Sequence, residues 1–376
     1  MRTLLRCSGV ATILVFGASL IGPRAVRAGA EEPSARQGAA VEEEEEPVSL
    51  SRLIVRGFGN IDWLSRSRDD PSTFVVGQLD LFLTSELADD VSLLAEIVLE
   101  AVDDPEEQIA DVERFQIQYA PSDAFRVAAG RMHTVLGYWN QTYHHGAWLY
   151  TTVSRPEVYR WEDEDGGILP VHEVGLRVFG SAATSALRVE YNASLGNGRG
   201  VTPREVVTVQ DPNGAKALNL WVGVQARAWP GLEVGGVAHF DTIPARPGDP
   251  ARANELQERI LGGFVALRRS EVEVLAEAFE IRHDDDATGG SYRTTGLYAQ
   301  AAVAFGRFKP YYRFDLIDRD EVDPFWGEAI RDLHKHTLGL RVDSWSRVVL
   351  KLEVSHNDPR SDDTFTSAAA QVAFTF

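Results

Sequence analysis

The chain has 376 residues, 25% of them charged, and a formal net charge of −19. This acidic balance makes nucleic acid an improbable partner, because phosphates are bound mainly by Lys and Arg. The single cysteine, Cys7, lies at the start of the chain, so the remainder can form no disulfide bond.

The first 30 residues (1–30) predict a cleaved secretory signal peptide. Arg2 and Arg6 precede an apolar run from about residue 10 to residue 21, and the segment ends at Ala28-Gly29-Ala30. The run is short of the roughly 20 residues that a membrane-spanning helix needs, whereas a basic start and small residues at the end are typical of a signal peptide. Cleavage after Ala30 would leave 33 basic and 56 acidic residues, a net charge of −23.

Residues 31–48 predict an acidic, disordered leader. The run 42–46 consists of five glutamates and lies between Pro33 and Pro47, with almost nothing to bury. Like charges at this density usually belong to a solvated segment without a fold of its own.

From residue 49 to residue 376, bulky apolar residues alternate with polar or small ones, a period of two that is typical of strands with two different faces. The pattern predicts sixteen strands, which begin near residues 52, 74, 91, 110, 124, 172, 186, 216, 232, 255, 271, 293, 308, 333, 347 and 365.

The connections between these strands alternate in length. Seven are tight and turn-like in composition, and eight are longer and polar, near residues 64–73, 102–109, 132–171, 193–215, 243–254, 284–292, 319–332 and 356–364. This rhythm is typical of a closed antiparallel transmembrane β-barrel with short periplasmic turns and long external loops. Closure is required because an open sheet edge has no hydrogen-bond partners in lipid.

On one face of the predicted strands, the alternating positions carry side chains of both charges. A packed core could not hold them without a large desolvation cost, so we interpret them as the lining of a wet lumen, and the chain as a passive channel for small hydrophilic solutes or ions. The principal lumen-lining candidates are Arg56, Asp80, Glu96, Arg114, Arg177, Arg313, Asp315 and Arg341.

Three segments carry a resemblance to a known family. The stretch Gln371–Phe376 looks like the closing strand of outer-membrane proteins, and residues 57–62 with 78–82 and residues 130–146 are similar to the phosphate-selective porin O and P group of Gram-negative outer-membrane porins. The resemblance implies a setting of outer-membrane lipids and lipopolysaccharide. It also implies recognition of Phe376 by the barrel-assembly machinery and, commonly, a homotrimer. The resemblance does not imply phosphate as the substrate, because the candidate lumen-lining residues include both acidic and basic side chains.

The third external connection, 132–171, is the longest, and in general porins this loop enters the lumen. Its aromatics favour packing against the inner wall, where an acidic cluster would favour cations. The alternative is a solvated loop tip. The constriction candidates are Glu162, Asp163, Glu164, Asp165, Arg131, Tyr138, His144 and His145.

Histidines in the same region raise the question of a metal. His133, His144, His145 and His172 are metal-ligating residue types, but their spacing matches no structural zinc signature. We therefore expect hydrogen-bonded loop histidines, with no metal and no cofactor.

Two other functions remain open. A barrel enzyme with a Ser/His site could use Ser154 or Ser185, but no Gly-x-Ser-x-Gly motif is present, so we do not expect an enzyme. A loop-plugged receptor or adhesin is the stronger alternative, since long external loops are also recognition surfaces.

Overall fold

The computed structural model describes residues 53–66, 71–101, 108–144, 146–160, 167–203, 205, 211–327, 329–360 and 363–376. The predicted signal peptide and acidic leader lie outside these residues and stay predictions.

The strands begin within about three residues of the predicted positions. They are β1 Ile54–Ser65, β2 Thr73–Ala88, β3 Val91–Ala101, β4 Gln108–Ser122, β5 Phe125–His133, β6 His172–Ala183, β7 Leu187–Asn197, β8 Lys216–Ala226, β9 Leu232–Ile243, β10 Leu256–Arg268, β11 Val272–Asp285, β12 Gly290–Val303, β13 Phe308–Arg319, β14 Leu333–Trp345, β15 Val348–Pro359 and β16 Phe365–Thr375. Short helices occur at α1 Tyr138–Thr142 and, as 3₁₀ turns, at Glu157–Tyr159 and Pro250–Arg252. Within the described ranges, no helix is both long and apolar enough to cross a membrane.

The sheet is a closed ring in which each strand pairs antiparallel with its sequence neighbours. β1 completes the ring against β16, with Phe58 opposite Thr375 and Ser65 opposite Ala368. At the end of the chain the Phe376 amide donates to the carbonyl of Gly57 (3.0 Å), and the Gly57 amide donates back (3.1 Å). The predicted closed sixteen-stranded barrel is confirmed.

The two faces of the barrel have opposite polarity. On β15 the side chains of Leu350, Leu352 and Val354 are exposed on the outside, whereas Lys351 and Glu353 are buried inside. A water-soluble protein would bury the apolar set, and an apolar outer face is what lipid requires.

The connection between β11 and β12 is shorter than the sequence predicts. Only residues 286–289 separate the two strands, because the Asp285 carboxylate accepts hydrogen bonds from the amides of Ala287 (2.9 Å) and Thr288 (3.1 Å). Gly289, at a φ of 76°, then supplies the left-handed residue that such a turn favours. The prediction of a long loop over 284–292 is therefore wrong.

Candidate functional site

The connection between β5 and β6, residues 134–171, is called the third loop below. Its aromatic side chains form a core of their own, in which Trp139 stacks on Tyr159 at 5.4 Å between ring centroids and lies 5.5 Å from Tyr150. Tyr159 also meets Phe279 of β11 and Tyr298 of β12 edge-on, at 6.0 and 6.4 Å. The loop therefore packs against side chains that point into the barrel.

Glu277, at the middle of β11, anchors the start of the third loop. Its carboxylate accepts hydrogen bonds from the amides of Tyr138 (2.6 Å) and Trp139 (2.8 Å) and from the hydroxyls of Tyr159 (2.9 Å) and Tyr298 (2.8 Å). The two amides belong to the first turn of α1, where no helical carbonyl is available to them. Gly137 precedes this turn at a φ of 83°, and a Cβ there would collide with the Tyr159 hydroxyl.

Glu353 of β15 anchors the middle of the loop in the same way. It accepts from the amides of Val153 (2.9 Å) and Ser154 (3.2 Å), from the Ser154 hydroxyl and from the hydroxyl of Tyr311 (2.9 Å). The Ser154 hydroxyl also accepts from Arg313. Neither partner is a histidine, so the geometry at Ser154 differs from that of a Ser/His nucleophile.

Buried cations bind the carbonyl groups of the same loop segment. Arg313 of β13 donates to the carbonyls of Ser154 (2.7 Å) and Arg155 (2.9 Å) while it pairs with Asp315 (2.8 Å). Its side chain is fully buried, and its neighbours neutralise the charge that burial would otherwise penalise.

The loop reaches deep into the barrel. Arg341 donates to the carbonyls of Trp148 and Tyr150, both at 2.9 Å, and Lys351 donates to the carbonyl of Thr152 at 2.8 Å. Arg341 and Lys351 lie near the short-turn ends of β14 and β15. The middle of the loop therefore extends well below the long-loop end of the barrel.

The 3₁₀ turn of the loop adds an ion pair. Lys335 Nζ lies 2.6 Å from Glu157 Oε1, and the Glu157 amide donates to Asp315 at 3.0 Å. Burial raises the pKa of Glu157, but the cations of Lys335 and Arg160 outweigh burial and lower its pKa to about 2. The ion pair is therefore intact at neutral pH.

Among the described residues, two cavities lie toward the short-turn end, and Gln141 and Thr142 of the third loop line both. The first, of about 400 Å³, is lined among others by Arg126, Arg177, Arg188, Glu190, Glu233 and Arg268. The second, of about 600 Å³, is lined among others by Arg56, Glu96, Arg114, His133, His144 and Trp148.

The structure places the predicted lumen-lining residues at different depths. Arg56 is exposed in the second cavity, whereas Asp80 and Glu96 are buried and Glu96 pairs with Arg114. Arg177 pairs with Glu173 at 3.3 Å. Arg313, Asp315 and Arg341 hold the third loop, as described above.

Among the predicted constriction residues, the structure describes Arg131, Tyr138 and His144, and each has its own set of partners. Arg131 pairs with Asp111 at 2.8 Å, and Tyr138 accepts from Arg268 at 3.3 Å. His144 is buried against Asn140 and His172. His145 and Glu162 to Asp165 lie outside the described residues.

A buried cluster of charged residues and histidines lies near the long-loop end, and none of its members was among the predicted site residues. Glu258 of β10 lies between Arg199 (2.9 Å), His239 (3.1 Å) and His283 (3.1 Å), and His283 also contacts Asp323 at 2.8 Å. Arg199 and Asp323 belong to external connections, which this network fastens to the wall. The alternating pattern of β10 places Glu258 on the inward face, so the sequence could have indicated a carboxylate inside the barrel. No neighbouring residue indicated which side chains would bind it.

No family model and no curated protein matches the chain. Among solved structures, the anion-selective porin from Comamonas acidovorans has a TM-score of 0.58 at 11% identity, over 87% of this chain and 100% of that one. Salmonella typhi OmpF has 0.58 at 11%, over 87% and 97%. The outer-membrane channel DcaP of Acinetobacter baumannii has 0.56 at 9%, over 87% and 97%.

These likenesses are of fold: the chain has a closed sixteen-stranded barrel like those of the outer-membrane porins. The narrower resemblance to the phosphate-selective O and P group stays a prediction.

Proposed function

We propose that this chain is an outer-membrane channel for small hydrophilic solutes or ions, narrowed by its third loop. The observation that carries the proposal is the loop itself, which buried carboxylates and cations of β11, β13, β14 and β15 hold inside a barrel that keeps two charged cavities. The solved structures of the same fold that are described as porins or channels support it.

Planar-bilayer recording of the purified protein tests this proposal. We expect stepwise single-channel conductance, and smaller steps than a barrel of this size would give without an inserted loop, because a loop held against the inner wall narrows the path for ions. The burial of the loop core favours the second candidate function, a plugged receptor or adhesin, which predicts a silent bilayer. Lipid hydrolysis by the purified protein would instead support an enzyme.

Cation preference is the finer part of the proposal. It rests on the acidic cluster Glu162 to Asp165 and on the negative net charge of the chain. The first cavity has the opposite balance, with four arginines against Glu190 and Glu233, so the loop cluster would have to dominate the selectivity.

Neutralising the cluster in the variant E162Q/D163N/E164Q/D165N is expected to lower the cation-to-anion permeability ratio, because carboxylate groups at a constriction favour cations. Reversal potentials in a salt gradient measure this ratio. The control D286N/E321Q removes two exposed acids from other external connections and should change it little. An unchanged reversal potential in the cluster variant would remove the constriction hypothesis.

The proposed setting is the outer membrane, with lipid and lipopolysaccharide around the barrel, Phe376 as the signal for the assembly machinery, and a homotrimer as the expected assembly. These partners rest on the resemblance described above and on the fold class.

A further inference from the structure

Three histidines meet where the third loop leaves the wall. His133 ends β5 and His172 begins β6, directly opposite it in the sheet, and His144 follows α1. Their side chains are buried, with residue exposures of 6%, 2% and 2% for His133, His144 and His172. One ring nitrogen of each lies within 4.8 Å of the others, so a single small ion could touch all three after minor adjustment.

Asn140 determines which nitrogen of His144 faces the cluster. The Asn140 amide nitrogen donates to the carbonyls of Thr134 (3.1 Å) and Val171 (3.0 Å), so its oxygen is directed at His144 Nδ1, 2.7 Å away. That oxygen can only accept, so Nδ1 carries the proton and Nε2 presents a lone pair. His144 Nε2 lies 2.9 Å from His172 Nε2. An outer hydrogen bond of this kind orients histidine ligands in metal sites.

Two carboxylates lie beside the histidines. Glu113 Oε2 lies 2.6 Å from His172 Nε2, and Glu96 Oε2, which pairs with Arg114, lies 3.9 Å from His133 Nε2. Imidazole nitrogens and one carboxylate oxygen in a four-coordinate arrangement suit Zn²⁺. The second cavity is lined by His133, His144 and Glu96, and it provides an entry path from the short-turn end.

The other buried histidine cluster has a different occupant. Arg199 Nε lies 2.9 Å from both oxygens of Glu258, so a guanidinium already supplies the positive charge between His239 and His283. At the three-histidine cluster the guanidinium of Arg131 lies 3.7 Å from Glu113 and binds Asp111 at 2.8 Å. The guanidinium of Arg199 is therefore part of the other cluster, whereas that of Arg131 is shared between Glu113 and Asp111 at the edge of this one.

We propose that His133, His144 and His172, with Glu113 as the fourth ligand, bind one divalent transition-metal ion of the zinc type. The ion would join β5, β6 and the third loop and so stabilise the base of the loop against the wall. This inference does not rest on the channel proposal.

The test is a titration of the chelator-treated full-length protein in detergent with Zn²⁺ alone, followed by calorimetry and elemental analysis. We expect one Zn²⁺ per chain. The double variant H144A/H172A should lose more than about 100-fold in affinity, and Asn140→Ala should lose about 10- to 100-fold as an outer hydrogen-bond partner. The control His336→Ala removes an exposed histidine that contacts Tyr312 and should leave the affinity unchanged.

Two further readouts keep the test decisive if a variant folds poorly. Co²⁺ added to the unaltered protein should give the visible spectrum of a tetrahedral nitrogen and oxygen site. Zn²⁺ should also raise its unfolding temperature by mass action. Absence of stoichiometric Zn²⁺, an octahedral Co²⁺ spectrum, or full affinity in a folded H144A/H172A variant would overturn the proposal. Conductance is measured separately, so a protein that conducts but does not bind Zn²⁺ would refute this inference alone.

Discussion

Glu277→Ala is expected to raise the single-channel conductance several-fold and to make it noisier. The substitution removes one acceptor from four buried donors, the amides of Tyr138 and Trp139 and the hydroxyls of Tyr159 and Tyr298. An unsatisfied buried donor costs about 1–3 kcal/mol, so the combined cost favours release of α1 from the wall. The strand itself should persist, because its backbone pairs with β10 and β12 are unaffected.

The matched control is Glu280→Ala on the same strand. Glu280 is on the outer face and forms an exposed pair with Arg293 at 2.7 Å, and such pairs contribute about 0–1 kcal/mol. The single-channel conductance of the Glu280→Ala variant should therefore equal that of the unaltered protein. If Glu277→Ala also conducts without change, the carboxylate does not hold the loop in the conducting state.

Arg313→Met is expected to expose the middle of the third loop to trypsin. The substitution leaves Asp315 without its guanidinium partner and removes the donor from the carbonyls of Ser154 and Arg155. Breaking a buried ion pair on one side costs about 3–5 kcal/mol. Arg160 of the loop then provides a cleavage site, whereas Arg155 does not, because Pro156 follows it. The yield of fragments cut after Arg160 measures the release.

Two further variants are compared with Arg313→Met, one as a control and one as an intermediate case. Arg293→Met removes an exposed arginine on the neighbouring strand and should resist trypsin like the unaltered protein. Arg313→Lys keeps the charge but not the planar fork of donors, so its cleavage should be intermediate. Equal resistance of Arg313→Met and the unaltered protein would show that the carbonyl contacts of Arg313 contribute little to loop position.

The sequence predicted how many strands there are and which face of each strand points inward. Both properties depend on the order of residues within a few positions. A strand alternates its side chains with a period of two, so Lys351 and Glu353 fall on the opposite face from Leu352 and Val354 wherever the strand lies. Turn residues such as Pro230-Gly231 mark the ends in the same local way. The exception at residues 284–292 arose because Asp285 continues the strand by capping the turn with its own side chain.

The arrangement inside the lumen could not be read in this way, because its contacts join residues far apart in the sequence. Glu277 bonds to Tyr138, 139 positions away, and Glu353 bonds to Val153, 200 positions away. The alternating pattern showed that Glu277 and Glu353 lie on the inward face of their strands. It does not indicate which loop supplies their hydrogen-bond partners. The third loop has no strong periodic pattern, so its path depends on the shape of the closed wall.

The sequence by itself determined a ring of sixteen strands with an apolar exterior, because alternation and turn chemistry act over a few residues and lipid permits few other solutions. Only the tertiary structure decided what lies inside that ring. It placed His133, His144 and His172 together, because the pairing of β5 with β6 sets His133 opposite His172 and the third loop returns His144 to them. It also surrounded the third loop with buried charges, because the curvature of the closed barrel brings strands that are distant in sequence to face one another.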